Sequence, residues 1–372
     1  MKIEVHKEQL SIATSRSQGA ISERSMAHIG LRAEDGHLRV LVADRVLVVH
    51  CRMPCEVSEQ GDCYIPARLF TDLVKQLPNG PVVLETKDAF LEVTAGMKSE
   101  FQMKLPRIEG QAWREPPTID STNSCDLPSD KMTYLIEQVQ FCVAHESPRN
   151  YGSVGYLHRN KDGHLRLVGT DGYRLSFAEL SIDLPSEFLS QGICLSKRAL
   201  SELLRMCNEG FNEIRLAVSE DLTTLVASVP DYQLFVRLSA VKYPNYEGVL
   251  PQKQLSKVDI PRPYFQSVTK RVLLASDKTR ALQLCFSNSS LTLKSRTIGR
   301  SESQESIDLS NYHDGSRDLS INGKFLTEVF STISSEEVIL NFHSEEDPIV
   351  LVPKTEPPSC QSMHVLVPIR ES

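Results

Sequence analysis

The segment IPARLFTDLVKQLPNGPVVLE (residues 65–85) recurs as LSKRALSELLRMCNEGFNEIRL (195–216) and as INGKFLTEVFSTISSEEVILNF (321–342). Aligned apolar residues share two positions, which hold Phe70, Leu200 and Leu326 at the first and Leu73, Leu203 and Val329 at the second. In each copy a helical stretch is followed by a polar turn and a short β-type run, at 82–84, 214–216 and 338–340. The copies are offset by 130 and then 126 residues. This spacing predicts a triplicated domain, because solenoid repeats run at about 20–50 residues.

The length and composition agree with three soluble domains. One third of 372 residues is 124, which is enough chain for a domain with its own core. We place the domains at 1–122, 123–251 and 252–372. Apolar residues make up 40% of the chain and charged residues 24%, and no apolar run reaches the roughly 18 residues of a membrane helix. The N-terminal MKIEVHKEQL lacks the apolar core of a signal peptide, so we expect a cytoplasmic protein without a membrane partner.

The cysteine content and the net charge further restrict the class of protein to which the chain can belong. The nine cysteines are scattered and odd in number, which favours reduced thiols over a disulfide framework. The net charge of −7 excludes a uniformly basic nucleic-acid binder, although an acidic protein can still carry a basic stripe.

Hydrophobic periodicity predicts an α+β fold in which each domain runs helix, strands, helix, strands. Opening helices are expected at 7–19, after Ser129 and Asp130 as N-cap, and at 260–276. The runs 38–50 and 81–96, rich in valine and leucine, are typical of strands. Strands that follow one another in sequence favour antiparallel pairing.

Basic residues also recur in register within the repeated segment. Arg68, Arg198 and Lys324 share one position, and Lys75 and Arg205 share another, seven residues later. Two helical turns separate these positions, so both project from one face of the helix. One such helix is typical of any solvated surface. The same register in three copies instead favours a cationic surface that contacts phosphates without reading bases.

Three further segments resemble the bacterial DNA sliding clamp, the β subunit of DNA polymerase III. They are LRLVGTDGYRLSFAEL (165–180), YPNYEGVLP (243–251) and VLVPIR (365–370), and the resemblance extends over the whole chain. It implies the DNA-clamp fold, with three tandem similar domains, helices lining a ring and antiparallel sheets outside. It also implies a homodimer without a catalytic centre that encircles duplex DNA. Such a ring is a processivity factor that tethers DNA polymerase, and its implied partners are the polymerase III alpha subunit, the clamp-loader complex and other replication and repair proteins.

The resemblance also implies site residues. A pocket between domains two and three would receive partner peptides and would use Thr170, Gly172, Tyr173, Arg174, Leu175, Pro244, Val249, Phe325, Val365, Val367, Pro368, Ile369 and Arg370. DNA contacts would come from Arg24, Arg68, Lys75, Arg149, Lys197, Arg198, Arg205 and Lys324. Leu273 and Leu274 would pack against the partner chain at the dimer seam. Each apolar member can equally be an ordinary core residue, and Asp171-Gly172 a plain strand-joining turn.

Catalytic and metal-dependent alternatives are weaker. The cysteines at 51, 55 and 63 lack the spacing and the second pair of a zinc site. Tyr151-Gly-Ser-Val-Gly lacks the first glycine of a nucleophile elbow, and no phosphate-binding G-x-x-x-x-G-K-[ST] motif occurs. We therefore expect no enzyme activity, metal or cofactor. The remaining alternative is a clamp paralogue with an accessory or spare-copy role, suggested by the sequence SMAHIG after Arg24, where the family is usually rich in proline and leucine.

Overall fold

In the computed structural model, the described residues of the first third of the chain contain two α-helices and nine strands. The structure describes residues 1–21, 27–96, 101–113, 115–116, 123–147, 150–250, 256–287, 289–309, 312 and 315–369. The elements of this third are β1 (Lys2–His6), α1 (Lys7–Ser17), β2 (His28–Glu34), β3 (His37–Ala43), β4 (Leu47–Pro54), β5 (Glu56–Glu59), β6 (Gly61–Pro66), α2 (Ala67–Gln76), β7 (Pro81–Lys87), β8 (Phe90–Ala95) and β9 (Phe101–Pro106).

The described residues of the other two thirds repeat this order without a counterpart of β5. The second contains β10 (Ser124–Pro128), α3 (Ser129–Val139), β11 (Val154–Arg159), β12 (Leu165–Thr170), β13 (Arg174–Leu180), β14 (Ile193–Ser196), α4 (Lys197–Cys207), β15 (Glu213–Val218), β16 (Thr224–Val229) and β17 (Tyr232–Arg237). The third contains β18 (Ser256–Pro261), α5 (Arg262–Val272), β19 (Ala281–Ser287), β20 (Ser290–Thr297), β21 (Ser301–Asp308), β22 (Arg317–Asn322), α6 (Gly323–Thr332), β23 (Glu337–Phe342), β24 (Ile349–Pro353) and β25 (Cys360–Leu366). The α+β prediction and the three similar domains are confirmed.

The repeated segment is a strand, a helix and a strand in all three copies: β6-α2-β7, β14-α4-β15 and β22-α6-β23. The six apolar residues aligned in the sequence are all buried, with exposures between 0% and 7%. They anchor each helix to its domain core, because residues three apart lie on one helical face.

The strands form four sheets within the described residues, and every observed pairing is antiparallel. Two sheets have eight strands and cross a domain boundary. Sheet B has the order β10-β15-β16-β17-β4-β3-β2-β6, and sheet C the order β18-β23-β24-β25-β13-β12-β11-β14. Sheet A (β5-β1-β7-β8-β9) and sheet D (β21-β20-β19-β22) each lie within one third of the chain.

Two compact units contain these sheets. The first comprises residues 1–130, 185–189 and 201–239 and holds sheets A and B. The second comprises residues 131–184, 190–200 and 240–372 and holds sheets C and D. The middle third is divided between the two units because β4 pairs with β17 and β13 with β25. The predicted domain limits at 122 and 251 lie outside the described residues and stay predictions.

Several element boundaries differ from the sequence predictions. Residues 38–50 form two strands, because the Asp44 carboxylate accepts hydrogen bonds from the backbone of Val46 and Leu47 and closes a turn between them. Residues 81–96 are likewise two strands, with Asp88 in the turn at φ 47°. Ser129 is the first helical residue of α3 and not its cap. The helix expected at 260–276 is shorter, since α5 ends at Val272 and a 3-10 turn follows.

The weak apolar periodicity of helix α1 results from the small polar residues on its buried face. Its buried face includes Thr14 and Ser17 beside Leu10 and Ala13. The hydroxyls of Thr14 and Ser17 donate to the carbonyls of Leu10 and Ala13, four residues earlier, at 2.8 and 2.7 Å. Small polar residues can therefore be buried on this face without an unsatisfied group.

Candidate functional site

A hairpin turn between β12 and β13 forms one side of the candidate site in the second compact unit. Thr170 Oγ1 donates to the Arg174 carbonyl at 2.6 Å and accepts from the Gly172 amide at 3.1 Å. Asp171 Oδ1 accepts from the amides of Tyr173 (3.0 Å) and Arg174 (3.1 Å). Gly172 has a φ of 90°, which a residue with a Cβ adopts only under strain. The Thr-Asp-Gly sequence therefore fixes the turn and presents Arg174 and Leu175 at the start of β13.

Arg174 is buried and held from several sides. Its guanidinium pairs with Asp171 at 3.0 Å and with Glu328 of α6, and it donates to the Phe141 carbonyl at 2.8 Å. The ring of Phe325 lies 4.2 Å from the guanidinium carbon. A planar cation with fixed partners on each side is a rigid part of the site, and its charge is compensated within the protein.

The segment that follows β17 forms the opposite wall. The Tyr246 hydroxyl is hydrogen-bonded to His158 Nε2 at 2.9 Å and accepts from Arg166 at 3.1 Å. The rings of Tyr243 and Tyr156 stack at 5.0 Å. Burial lowers the pKa of His158 and, as the largest cause, raises the pKa of Tyr243 and Tyr246. The histidine and the tyrosines on this side of the pocket are therefore uncharged at neutral pH.

Between these walls is a cavity of about 260 Å³. Eight of the predicted pocket residues line it: Thr170, Gly172, Arg174, Leu175, Pro244, Val249, Val365 and Val367. Two of them are apolar side chains exposed to an unusual degree, Val249 at 53% and Val367 at 42%. Exposed apolar groups around a concave site are typical of a surface that receives apolar side chains of another molecule.

The other predicted pocket residues lie elsewhere. Phe325 supports Arg174 from outside the cavity lining. Tyr173 is 64% exposed, and its carbonyl accepts from the Val367 amide at 3.0 Å. Pro368 is not part of the lining, and the Ile369 amide donates to the Ser320 carbonyl at 2.7 Å. Arg370 lies outside the described residues.

Sequence reasoning missed five lining residues: Tyr151, Asn245, Tyr246, Leu250 and Pro348. Three of them belong to the quoted stretch YPNYEGVLP, so the motif itself could have indicated them. Tyr151 comes from a short 3-10 helix and Pro348 from a loop, and both are distant in sequence from that motif. No local pattern indicates that such segments meet at the same cavity.

The predicted DNA-contacting residues differ in their surroundings. Arg68, Lys75 and Lys324 are exposed, whereas Lys197 and Arg198 are half-buried. Burial lowers the pKa of Lys197, and the nearby Arg174 charge acts in the same direction. Arg24 and Arg149 lie outside the described residues.

Acids in register accompany the basic residues. Lys75 lies 3.5 Å from Asp72, and Lys324 lies 3.8 Å from Glu328. Arg205 pairs with Glu202 and also donates to the carbonyls of Ser15 (2.9 Å) and Arg16 (2.6 Å) at the end of α1. Exposed pairs such as Lys75–Asp72 are weak enough for a phosphate to compete. The Arg205 guanidinium, in contrast, is already used to close α1.

The two leucines predicted for the dimer seam differ in their exposure to solvent. Leu273 is 9% exposed and belongs to the core of the third domain, where it packs against Gly323. Leu274 is 85% exposed. The short turn that carries both residues lies beside β21, the end strand of sheet D.

Among the described residues, no group of three or more histidine, cysteine or acidic side chains is arranged to hold a metal. Cys51 is buried in β4, where burial raises its thiol pKa to about 12, and no disulfide joins the nine cysteines, all of which are described. No helix in the described ranges is long and apolar enough to cross a membrane.

Comparison with known proteins places these features in one family. Three family profiles match in tandem: DNA polymerase III beta subunit, N-terminal domain (residues 1–109), central domain (126–245) and C-terminal domain (247–370). The chain belongs to the DNA polymerase III beta subunit family. The beta sliding clamp of Salmonella typhimurium is 25% identical over 380 residues, with 100% of both chains covered. That of Pseudomonas aeruginosa is 26% identical over 318 residues, covering 85% of this chain and 83% of the relative.

Solved structures agree with the fold of this beta subunit family member. The DNA polymerase III subunit beta of Bartonella birtlesii, crystallised with griselimycin, superposes with a TM-score of 0.91 at 22% identity, and both chains are covered completely. At that identity the likeness shows the fold. The family assignment comes from the three tandem profiles, which also confirm the resemblance seen in the sequence.

Proposed function

We propose that this protein is a replicative processivity factor: a homodimeric ring that encircles duplex DNA and tethers the replicative polymerase through the pocket of the second compact unit. The observation that carries the proposal is the rigid apolar pocket around Val249 and Val367 in a member of the beta subunit family. The protein acts without catalysis, in the cytoplasm. Its partners are the polymerase III alpha subunit, the clamp loader and other replication and repair proteins with short binding peptides.

The pocket suits a short linear peptide. Its volume of about 260 Å³ accommodates one or two side chains. Apolar walls from Leu175, Val365 and Pro244 favour aliphatic or aromatic anchors, and few such anchors carry most of the energy of an interface. A peptide tether raises the effective concentration of polymerase at the primer end, so a modest affinity gives high processivity.

Unpaired strand edges support a head-to-tail dimer. Sheets B and C each join two domains of the chain through main-chain hydrogen bonds. Sheets A and D have only five and four strands, and their end strands β9 and β21 have a free edge among the described residues. Free edges pair readily with another chain. Pairing β9 of one copy with β21 of the other would build a third boundary-crossing sheet, with the exposed Leu274 beside it.

The helices of the repeated segment supply the proposed DNA surface. Arg68, Lys75 and Lys324 are exposed, and Lys197 and Arg198 lie at the start of α4. Their contacts are to phosphates, so they give no sequence preference. Because the protein carries a net charge of −7, retention depends on enclosure of the duplex more than on affinity. Arg205 contributes by holding α1 against α4.

A retention assay tests the proposal. The protein is loaded by clamp loader onto nicked circular DNA and separated from free protein by gel filtration. We expect it to remain on the circle and to leave when a restriction enzyme linearises the DNA. Equal loss from circular and linear DNA would contradict a closed ring.

Charge-reversal variants test the DNA surface. Arg68→Glu with Lys75→Glu and Lys324→Glu should shorten the lifetime on circular DNA, because three phosphate contacts are lost. The matched control carries the same charge change on strands or a strand end away from the proposed seam, with Lys87→Glu, Arg215→Glu and Lys354→Glu, all exposed residues paired with acids. Equal loss in both variants would mean that only net charge matters.

A peptide assay tests the pocket separately. A fluorescent peptide from the polymerase tail should bind the protein, and Val249→Glu should abolish binding by placing a charge at the exposed pocket wall. Tyr264→Glu, on an exposed residue of α5 outside the lining, is the control. Unchanged affinity in Val249→Glu would remove the pocket from the proposal.

A further inference from the structure

Sheet B repeats sheet C strand for strand, including the turn that borders the peptide pocket. Asp44 accepts from the amides two and three residues later, both at 2.8 Å, as Asp171 does in the pocket turn. The Arg237 amide donates to the Val46 carbonyl at 2.8 Å, just as the Val367 amide donates to Tyr173. Ala43 and Val48 are paired across the first turn, as Thr170 and Leu175 are across the second.

The chain segment after β9 crosses sheet B as the segment after β17 crosses sheet C. Ile108 donates to the Tyr64 carbonyl at 2.8 Å, and the Tyr64 hydroxyl donates to the Ala112 carbonyl at 3.4 Å. Trp113 lies over the guanidinium groups of Arg39 (5.2 Å) and Arg32 (5.7 Å). An aromatic residue and an arginine of the sheet therefore hold this segment, as Tyr246 and Arg166 hold the other.

A cavity of about 880 Å³ remains between this segment and the sheet, within the first compact unit. Leu41, Val48 and Tyr64 give it an apolar wall, and Asp44, Arg45 and Glu115 contribute its charged groups. The cavity is large enough for several side chains of an extended peptide. The pocket in the second unit has the same position in its sheet.

The charges at this groove differ from those of the pocket. By register, Arg45 stands where the pocket has Gly172, and Arg237 stands where it has Val367. Both arginines are exposed. The nearby acids are already engaged: Glu115 pairs with Arg39 at 2.5 Å, and Asp44 accepts the turn amides. Arg45 therefore lines the groove as an exposed cation, and Arg237 is a second exposed cation that has the register position of the pocket wall residue Val367.

We propose that this groove is a second peptide-binding site, which takes an extended acidic segment with apolar side chains. Apolar side chains would fill the space beside Leu41, Val48 and Tyr64, and carboxylates would pair with Arg45 and Arg237. Arginine forms strong, bidentate hydrogen bonds with carboxylates, which gives the site a preference distinct from the other pocket. The inference uses the proposed pocket only through the shared geometry, so either site can exist without the other.

Fluorescence anisotropy tests the site with a defined probe, a short fluorescein-labelled peptide of alternating leucine and aspartate that carries a photoreactive leucine. A peptide with lysine in place of aspartate is the probe control. Arg45→Glu with Arg237→Glu should weaken the acidic probe by roughly tenfold or more, since two attractive pairs become repulsive. Lys87→Glu with Arg215→Glu reverses two exposed charges elsewhere on the same unit and should leave binding unchanged. Circular dichroism melting confirms that each variant is folded.

The positions of photocrosslinks distinguish this site from the proposed pocket. Photocrosslinks of the acidic probe should map to residues 27–48, 107–113 or 115–116, and Val249→Glu should retain them. Binding lost in Val249→Glu and kept in Arg45→Glu with Arg237→Glu would place the probe in the other pocket and overturn the proposal. The proposal would also be overturned if the lysine peptide bound as tightly as the acidic peptide, or if the acidic peptide did not bind. Displacement of the probe by short duplex DNA, equally strong in the natural protein and in the control variant, would overturn it as well.

Discussion

Replacement of Arg174 by methionine gives the sharpest test of how the pocket is built. Methionine keeps much of the side-chain volume but removes the cation. Asp171 and Glu328 lose their shared partner, the Phe141 carbonyl loses a donor and Phe325 loses a cation–π contact. The turn at 170–175 and α6 are then no longer connected through a charge.

The expected cost follows from these contacts. Breaking a fully buried ion pair costs roughly 3–5 kcal/mol. The Asp171 and Glu328 side chains are 19% and 32% exposed, so solvent recovers part of that cost. The lost carbonyl hydrogen bond and the lost cation–π contact add about 1 kcal/mol each. From these contributions together we expect a local destabilisation of about 3 kcal/mol.

Hydrogen exchange measured by mass spectrometry reports this destabilisation for individual segments of the chain. Loss of about 3 kcal/mol should speed exchange in β13 and β25 by roughly 150-fold where exchange reports local opening. Arg271→Met is the matched control, because its pair with Glu305 at 2.5 Å is exposed and screened by solvent. A loss below about 1 kcal/mol, or an equal effect in the control, would refute the view that Arg174 braces the pocket.

Two further predictions concern assembly and pH. Leu274→Glu should raise the dimer dissociation constant by roughly ten- to a hundredfold, since burying a leucine stabilises an interface by about 1.5–3 kcal/mol; sedimentation should show this shift, with Tyr173→Glu unaffected, and a dimer unchanged by Leu274→Glu would exclude Leu274 from the seam. Burial lowers the pKa of His364 to about 3, so the neutral ring favours the folded state above the ordinary histidine pKa of about 6.5, and this stability is lost as the pH falls below that value, by about 1.4 kcal/mol per unit. Urea denaturation between pH 7 and pH 4.5, as approximate limits of that window, should show a smaller loss in His364→Gln than in the natural protein or in the exposed-site control His145→Gln; parallel curves for all three would contradict the assignment.

The sequence predicted the helix, turn and following strand of the repeated segment because the apolar spacing of the helix determines which face is buried. It did not predict β21, whose residues SESQESID show little hydrophobic alternation. That strand is stabilised by eight residue pairs with β20, a long-range interaction that no local pattern records. The turn at Asp44 was missed for the opposite reason, since valine and leucine continue on both sides of it and hide the break.

The candidate site shows the same limit. Motif text indicated most of the pocket lining, because the turn and the wall are each continuous in sequence. Sequence could not show that Arg205 is used by the carbonyls of Ser15 and Arg16, or that Leu273 and Leu274 point to different environments. In the sequence, an exposed arginine and an arginine that holds two elements together are written with the same letter. Only the packing of distant elements distinguishes them.

The boundary-crossing sheets B and C have a practical consequence for anyone who divides this chain. A fragment cut at either predicted limit would lose the partner of β4 or of β13 and leave a bare row of amides and carbonyls in water. Such a piece would be prone to aggregation even though its sequence matches a complete family profile. Expression of single domains therefore calls for a redesigned edge, for instance a lysine or proline on the strand left without its neighbour.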